Sequence, residues 1–247
     1  MEELNKELVN LTFLLVIATF SAAFVALFVS MFGEWLKSLA FKPKLELLYD
    51  HKWPDAIQSP FNWKRINPPT EENNIQGTCI CYYFRFRVKN KGNRPANNIE
   101  VFVNKIEEQN VDKSFKSYES FIPLNLKWSN TQSKIYLPSI YPKLEKHCDL
   151  GFVLQPQQNQ IYEIIQYSEG FCSEEQIESN IIFSIDFVIK PNVTESYNLK
   201  PGTYRIEVIA VASNSKQCKK TFELTFIDKW FDNTLDMLSQ GIGLKLK

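Results

Sequence analysis

The chain is poor in histidine and glycine, with two His and eight Gly in 247 residues. It also lacks an excess of either charge: 28 Lys and Arg balance 28 Asp and Glu, for a formal net charge of zero. That balance argues against a nucleic-acid binder, which shows a basic excess or a basic stripe. No GxSxG elbow, phosphate-binding P-loop, HExxH helix or Gly-rich nucleotide turn occurs. Repeats, low-complexity tracts and long charge blocks are also missing. Cys79 and Cys81 put two thiols on one face of a strand, but a tetrahedral zinc site needs two more ligands and no second such pair follows. His147, Cys148 and Asp149 are chemically useful side chains, but neighbours along a strand point to opposite faces and cannot converge as a triad. The expectation is therefore a protein without metal, cofactor or catalytic residues. The scattered carboxylates leave one enzymatic alternative open, an unrecognised carboxylate site.

The five cysteines are Cys79, Cys81, Cys148, Cys172 and Cys218. An odd number in an oxidising compartment leaves a stray thiol. Reduced, mostly buried thiols in a cytosolic domain are the expectation, with two disulfides and one free thiol as the alternative.

Long apolar runs are confined to the N-terminus. Residues 1–7 form a short acidic tail, and no side chain from Leu8 to Gly33 is charged. As a helix rising about 1.5 Å per residue, that run is long enough to cross a hydrocarbon core of about 30 Å. A cleaved signal peptide would start basic and carry a shorter apolar centre. Lys6 precedes the run, whereas Lys37, Lys42 and Lys44 follow it. The positive-inside rule then puts the N-terminus outside and the C-terminal part in the cytoplasm, at the cell membrane. Ala18, Ala22, Ala26 and Ser30 recur every four residues, the spacing at which small side chains let a second helix approach closely. Self-association, or docking on another membrane helix, is one reading of that stripe. Chance in an Ala-rich helix is the other.

After a linker at 34–42, period-two alternation dominates residues 43–227. Phe84, Phe86 and Val88 point one way, Tyr83, Arg85 and Arg87 the other. Asn90 to Pro95 turns the chain, and Ile99, Val101 and Val103 begin a second strand, so that the two read as a hairpin. Tyr204 to Ala210 and Thr221 to Phe226 alternate as clearly, and Phe183 to Ile189 does so with Ser184 and Asp186 on the opposite face. Such strands need a second layer over their apolar faces. Abundant aromatics, 14% of the chain with 19 Phe, suit that core. The fold class expected is mainly β: an immunoglobulin-like β-sandwich after one transmembrane helix, with a short C-terminal helix behind it.

Two stretches break the pattern. His51 to Gln76, rich in Pro, Asn and Trp, reads as a long ordered loop in which Trp53 and Trp63, with nearby Tyr82 and Tyr83, make a candidate binding surface. Asn104 to Ser120 reads as a charged surface excursion. Residues 228–247 shift to helical spacing, with Trp230, Phe231, Leu235 and Leu238 on one face as a candidate docking face, Gly241 and Gly243 as a stop, and a basic tail at Leu244 to Lys247. Packing on the domain is favoured for that face over the lipid surface, because Asp228, Asp232 and Asp236 lie on the same helix.

The run Val88-Lys-Asn-Lys-Gly-Asn-Arg-Pro-Ala96 followed by Ile99-Glu-Val101 resembles the corresponding segment of bacterial immunoglobulin-like domains of the CARDB-like type. With the anchor, a Pro43-x-Leu45 strand start and a late Pro201-Gly-Thr-Tyr204 strand start, the chain looks like a loose group of prokaryotic single-pass membrane proteins. The resemblance spans most of residues 43–230. It implies a fold and brings no activity with it. The function expected is a non-enzymatic, membrane-anchored interaction module, an accessory subunit of a membrane-associated complex such as a bacterial defence or secretion system. Its partners would be the bilayer, another membrane or cytoplasmic protein, and a second copy through the helix. The alternative is an extracytoplasmic binding or adhesion domain, for which Asn192-Val193-Thr194 would be a usable sequon in a eukaryote.

Overall fold

The computed structural model describes residues 2–64, 76–118, 121–131, 134–156, 181–188 and 198–247. The chain divides into two compact units, Met1–Lys42 and Pro43–Lys247. The first is one helix, α1 (Glu2–Ala40), with a stretch from Asn5 to Gly33 long and apolar enough to cross a membrane. Its two threonine hydroxyls bond within the helix: Thr12 Oγ1 donates to Leu8 O and Thr19 Oγ1 to Leu15 O, each at 2.7 Å. Ala18, Ala22, Ala26 and Ser30 are exposed along one stripe of α1.

The second unit is built from two antiparallel sheets. The first contains β1 (Leu45–Leu48), β2 (Ala56–Lys64), β3 (Gln76–Asn90), β8 (Glu145–Leu154), β9 (Phe183–Ile185) and β10 (Asn198–Leu199), in the order β1-β3-β8-β9-β10 with β2 also on β3. The second contains β4 (Ala96–Gln109), β5 (Phe115–Ser117), β6 (Leu124–Asn125), β7 (Tyr136–Ile140), β11 (Gly202–Ala212), β12 (Ser215–Phe226) and β13 (Ile242–Leu246). Its order is β13-β12-β11-β4-β5, with β6 and β7 also pairing with β4. Phe84, Phe86 and Val88 from one sheet share a single buried core with Ile99, Val101, Ile206, Val208, Phe222 and Leu224 from the other. The coarse expectation, a β-rich unit between an N-terminal apolar helix and a short C-terminal helical turn, describes the molecule.

Several finer expectations are corrected. The alternating strands around Asn90 are not a hairpin: β3 and β4 lie in different sheets and make no ladder with each other. A period of two says which face is buried, and says nothing about whether the next strand pairs beside it or lies across the core. The turn between them is built on Asn90, which is fully buried. Its Oδ1 accepts from the backbone N–H of Lys44 (3.1 Å) and Gly92 (2.9 Å), and its Nδ2 donates to the carbonyls of Arg94 (2.7 Å) and Ile140 (3.0 Å). One amide side chain thus ties the start of β1, the crossover and the end of β7 together.

The expected loop at 51–76 contains β2, which pairs with β3 from Ala56↔Phe84 to Lys64↔Gln76. Among the described residues β2 ladders only with β3, so its Pro60 sits on an edge strand, where a missing N–H does little harm. The excursion expected at 104–120 is instead a continuation of β4 to Gln109 and a return as β5. A bulge near Asn104 shifts the phase, so that Val103 and Ile106 both face the core and the alternation is hidden. Residues 181–187 do not alternate in burial; all are buried, including Ser184, whose hydroxyl donates to Asn198 Oδ1. Gly151 permits that approach, because a Cβ there would lie 2.4 Å from Ser184 O. The C-terminal helix shrinks to a turn, α2 (Thr234–Asp236), running into a π turn at Met237–Gly241. The expected basic tail is β13, an edge strand on β12. Cys172 and the Asn192-Val193-Thr194 sequon lie outside the described residues.

Replacing Asn90 by Ala would take the partner from two backbone donors and two backbone acceptors, of which the Ile140 carbonyl is buried. The expected loss is about 2–4 kcal/mol of stability at roughly 1 kcal/mol per unmade bond, read as a lower denaturation midpoint of the full-length protein in detergent. An unchanged midpoint would show that water replaces the amide at no cost.

Candidate functional site

The outer face of the first sheet splits into two regions. Toward one end, Cys79, Cys81, Phe152 and Leu154 form a second small apolar cluster against Phe61 and Tyr83. Cys79 and Cys81 do share a face, and they are free thiols, as are Cys148 and Cys218. Burial, with Cys79 alongside, pushes the Cys81 thiol up to about 12, so it is neither a nucleophile nor a ready ligand at neutral pH. Among the described residues no group of three His, Cys, Asp or Glu side chains is arranged to hold a metal ion.

Toward the other end the face is charged. Its centre is Asp55, a carboxylate with no solvent exposure. Asp55 Oδ2 accepts from the Asp50 backbone N–H (2.8 Å) and from Arg87 Nε (3.1 Å), and Oδ1 lies 3.2 Å from His147 Nε2. Arg87 also pairs with Asp50 at 2.8 Å and reaches Glu145 at 3.6 Å. Arg85 donates from its side chain to Pro54 O (2.9 Å) and from its backbone to Asp55 O (2.7 Å). Arg85 and Arg87 face outward on β3 because the alternation that buries Phe84 and Phe86 requires it. Together these contacts pin the short segment 50–55 to the sheet.

Next to it, Asp149 stands opposite Arg85 across β3 and β8, accepts the Ser129 hydroxyl, and lies near Asp186, which Lys127 neutralises. Burial is the largest influence on Asp149 and Asp186 adds to it, so that despite Ser129, Arg85 and Lys127 its carboxyl is pushed up to about 6. His147, Cys148 and Asp149 diverge as expected: His147 turns to Asp55, Cys148 enters the core and Asp149 meets Ser129.

The pinned segment carries Trp53, which is 79% exposed. Trp53 stands over a groove of about 700 Å³ whose other wall is Leu235 and Leu238, with Ala56, Ile57 and Gln58 also lining it. Leu235, on α2, is 77% exposed. Asn233 caps that turn, accepting from the Leu235 N–H at 2.8 Å, and Thr234 Oγ1 donates to Gln58 Oε1 (2.9 Å) across the groove. His51 locks the two walls. Its Nε2 lies 2.8 Å from Leu238 O and 3.0 Å from Ile242 O. Carbonyls only accept, so Nε2 carries the proton and Nδ1 accepts the Tyr49 hydroxyl at 2.7 Å. Burial first, and then Asp55 and Asp50, hold that phenol well above its ordinary range, so it stays a donor.

The expected aromatic surface is therefore reassigned. Trp53 is on the surface. Tyr82 is a correction: it is fully buried in the core and meets the Trp230 ring at 5.2 Å between centroids. Tyr83 is half-buried against Phe152. The backbone of Trp63 lies in β2, opposite Gly77. The expected C-terminal face also divides. Trp230, Phe231 and Leu238 pack on the domain core, whereas Leu235 points away from it into the groove. Sequence reading missed the Asp55 cluster; the one signal for it was a pair of outward arginines on a strand of a protein with few other outward arginines.

No protein-family model, curated protein or solved structure matches the chain, so the site is read from its own geometry.

A carboxyl whose folded pKa lies above its unfolded one stabilises the fold below about pH 4, and that contribution is lost as pH rises to about 6. Asp149→Asn removes the charged form and leaves an acceptor for Ser129. At pH 7.5 the variant should be more stable than the wild type, by at most about 3 kcal/mol, with the gap closing below pH 4. Chemical denaturation across that range reads it, and a gap that does not change with pH would show that Asp149 is not held uncharged by burial.

Proposed function

We propose that this chain is a non-enzymatic, membrane-anchored protein-interaction module, an accessory subunit of a membrane-associated complex. In this reading α1 crosses the bilayer with its N-terminus outside, and the β unit works in the cytoplasm. The observation that carries it is Trp53: a large amphipathic ring, nearly fully exposed, on a segment held by a buried ion pair, over an apolar groove. Tryptophan is enriched among the residues that dominate binding energy, and a rigid segment presents it at low entropic cost. The neighbouring polar groups favour binding over catalysis. Asp55 accepts from several donors, Asp186 takes Lys127, and Asp149 takes Ser129. Asp55 and Asp186 are held by cations, which leaves these two carboxylates little capacity to move a substrate proton.

An immunoglobulin-like fold of the CARDB-like type is part of the proposal. What supports it is strand order: β1-β3-β8 in one sheet and β12-β11-β4 in the other run as A-B-E and G-F-C do in that architecture. Tyr204, near the start of β11, donates its hydroxyl to Lys200 O at 2.9 Å, as the tyrosine corner of such domains does. One departure is β9, which follows β8 in the chain yet takes the place beside it.

Photocrosslinking from position 53 of the full-length protein in native membranes should give a discrete adduct. Leu235→Arg should abolish it, and Trp53→Ala should weaken partner binding about thirtyfold, at roughly 2 kcal/mol for such an anchor. Both side chains are exposed, so stability should not change. No adduct, or one indifferent to Leu235→Arg, sinks the groove reading. Ala22→Leu with Ala26→Leu tests the other route: assembly that survives both shows that the helix stripe plays no part.

A further inference from the structure

The end of the β unit at which the polypeptide enters is made of four short segments, residues 43–44, 90–95, 141–144 and 213–216. Hydrogen bonds hold them together. Lys91 N–H donates to Lys44 O and Lys143 N–H to Asn90 O, both at 2.8 Å. Asn214 Nδ2 donates to Pro95 O (2.9 Å), and Ser215 Oγ to Pro43 O (3.2 Å). These segments carry Lys44, Lys91, Arg94, Lys143 and Lys216, and no carboxylate. The four lysines are exposed and Arg94 is half-buried. The turn that bears Lys143 also exposes Tyr141 and Leu144, by 60% and 56%. The acids on the adjoining strands are already paired: Glu46 with Lys91 at 2.6 Å, and Glu145 with Arg87 and Lys89.

The segments beyond the far ends of β4 and β12 have the opposite balance. Residues 110–114 and 227–236 hold Asp112, Asp228, Asp232 and Asp236 against Lys113 and Lys229. A chain of zero net charge is thus polarised along its strands.

We infer that the lysine-bearing end docks on the headgroup surface of an anionic bilayer. The inference rests on the reading of α1 as a membrane span, and the occupant follows from the chain itself. Ala40 is the last residue of α1 and Pro43 the first of the β unit, so the polypeptide comes to this end directly from the apolar helix. Lysines on flexible stems with an exposed Tyr and Leu among them suit a headgroup layer, where cations meet lipid phosphate and amphipathic rings are favoured.

The test uses the full-length protein in nanodiscs of phosphatidylcholine alone or with phosphatidylserine, followed by amide hydrogen exchange. Slower exchange at 90–95, 141–144 and 213–216 is expected only with phosphatidylserine, and high salt should reverse it. Lys143→Ala and Lys216→Ala should each lower the docked-to-undocked ratio about fivefold, while unchanged exchange in β4 and β11 reports an intact fold. Equal exchange in the two lipids overturns the docking surface and leaves the anchor standing. A protein that alkaline carbonate strips from the membrane overturns the anchor and the docking together.

Discussion

The fold depends on how one buried amide closes a crossover. Asn90 ends β3 at the point where the chain must leave one sheet and begin the other. The turn after it is partly exposed, but Asn90 itself is fully buried and water has no access to its amide. Asn90 supplies two acceptors and two donors there, and the four groups it meets come from β1's start, the turn itself and β7's end. Asp has the acceptors without the donors, and Leu has neither. With the crossover fixed, the inward faces of β3 and β4 are bound to oppose each other, and Phe84, Phe86, Ile99 and Val101 become one core.

What could be read in the sequence follows from that geometry. The apolar faces of β3 from Tyr82, of β11 up to Val208 and of β12 from Phe222 were legible because burial there alternates with a period of two. The sheet to which each strand belongs was not, since alternation is the same for a hairpin and for a crossover. The end of β4 was hidden by the bulge at Asn104, which puts two inward residues out of phase. β2 was hidden by composition: Pro60 and a run of polar residues look like loop, and are tolerated on a strand that among the described residues ladders on one edge. The helical spacing of the C-terminal residues covers only enough chain for the turn at 234–241, and the tail behind it, Ile242–Leu246, pairs along the edge of β12 as β13.

The charged face was the least legible part. Asp55 and His147 are 92 residues apart in the chain, and Arg87 lies between them. No local pattern marks three residues that meet only when β2 and β8 pair on either side of β3. The outward arginines were visible, but a charge on an outward face is ordinarily solvated. What sets these apart is Asp55 with no exposure at all, a fact of packing rather than of composition.

Burying that carboxylate does little for stability in itself. Desolvation offsets most of the gain from Arg87 and His147, and an apolar residue of similar size would serve the sheet as well. Its consequence is positional: the carboxylate and the two arginines hold residues 50–55 in one conformation, with Trp53 turned outward beside His51, which in turn holds Leu238 and Ile242. A tryptophan kept at the surface at this cost in polar groups is hard to account for as packing, because it packs against little. A rigid aromatic facing Leu235 across an open groove is the arrangement in which the ordering needed for association has already taken place within the fold.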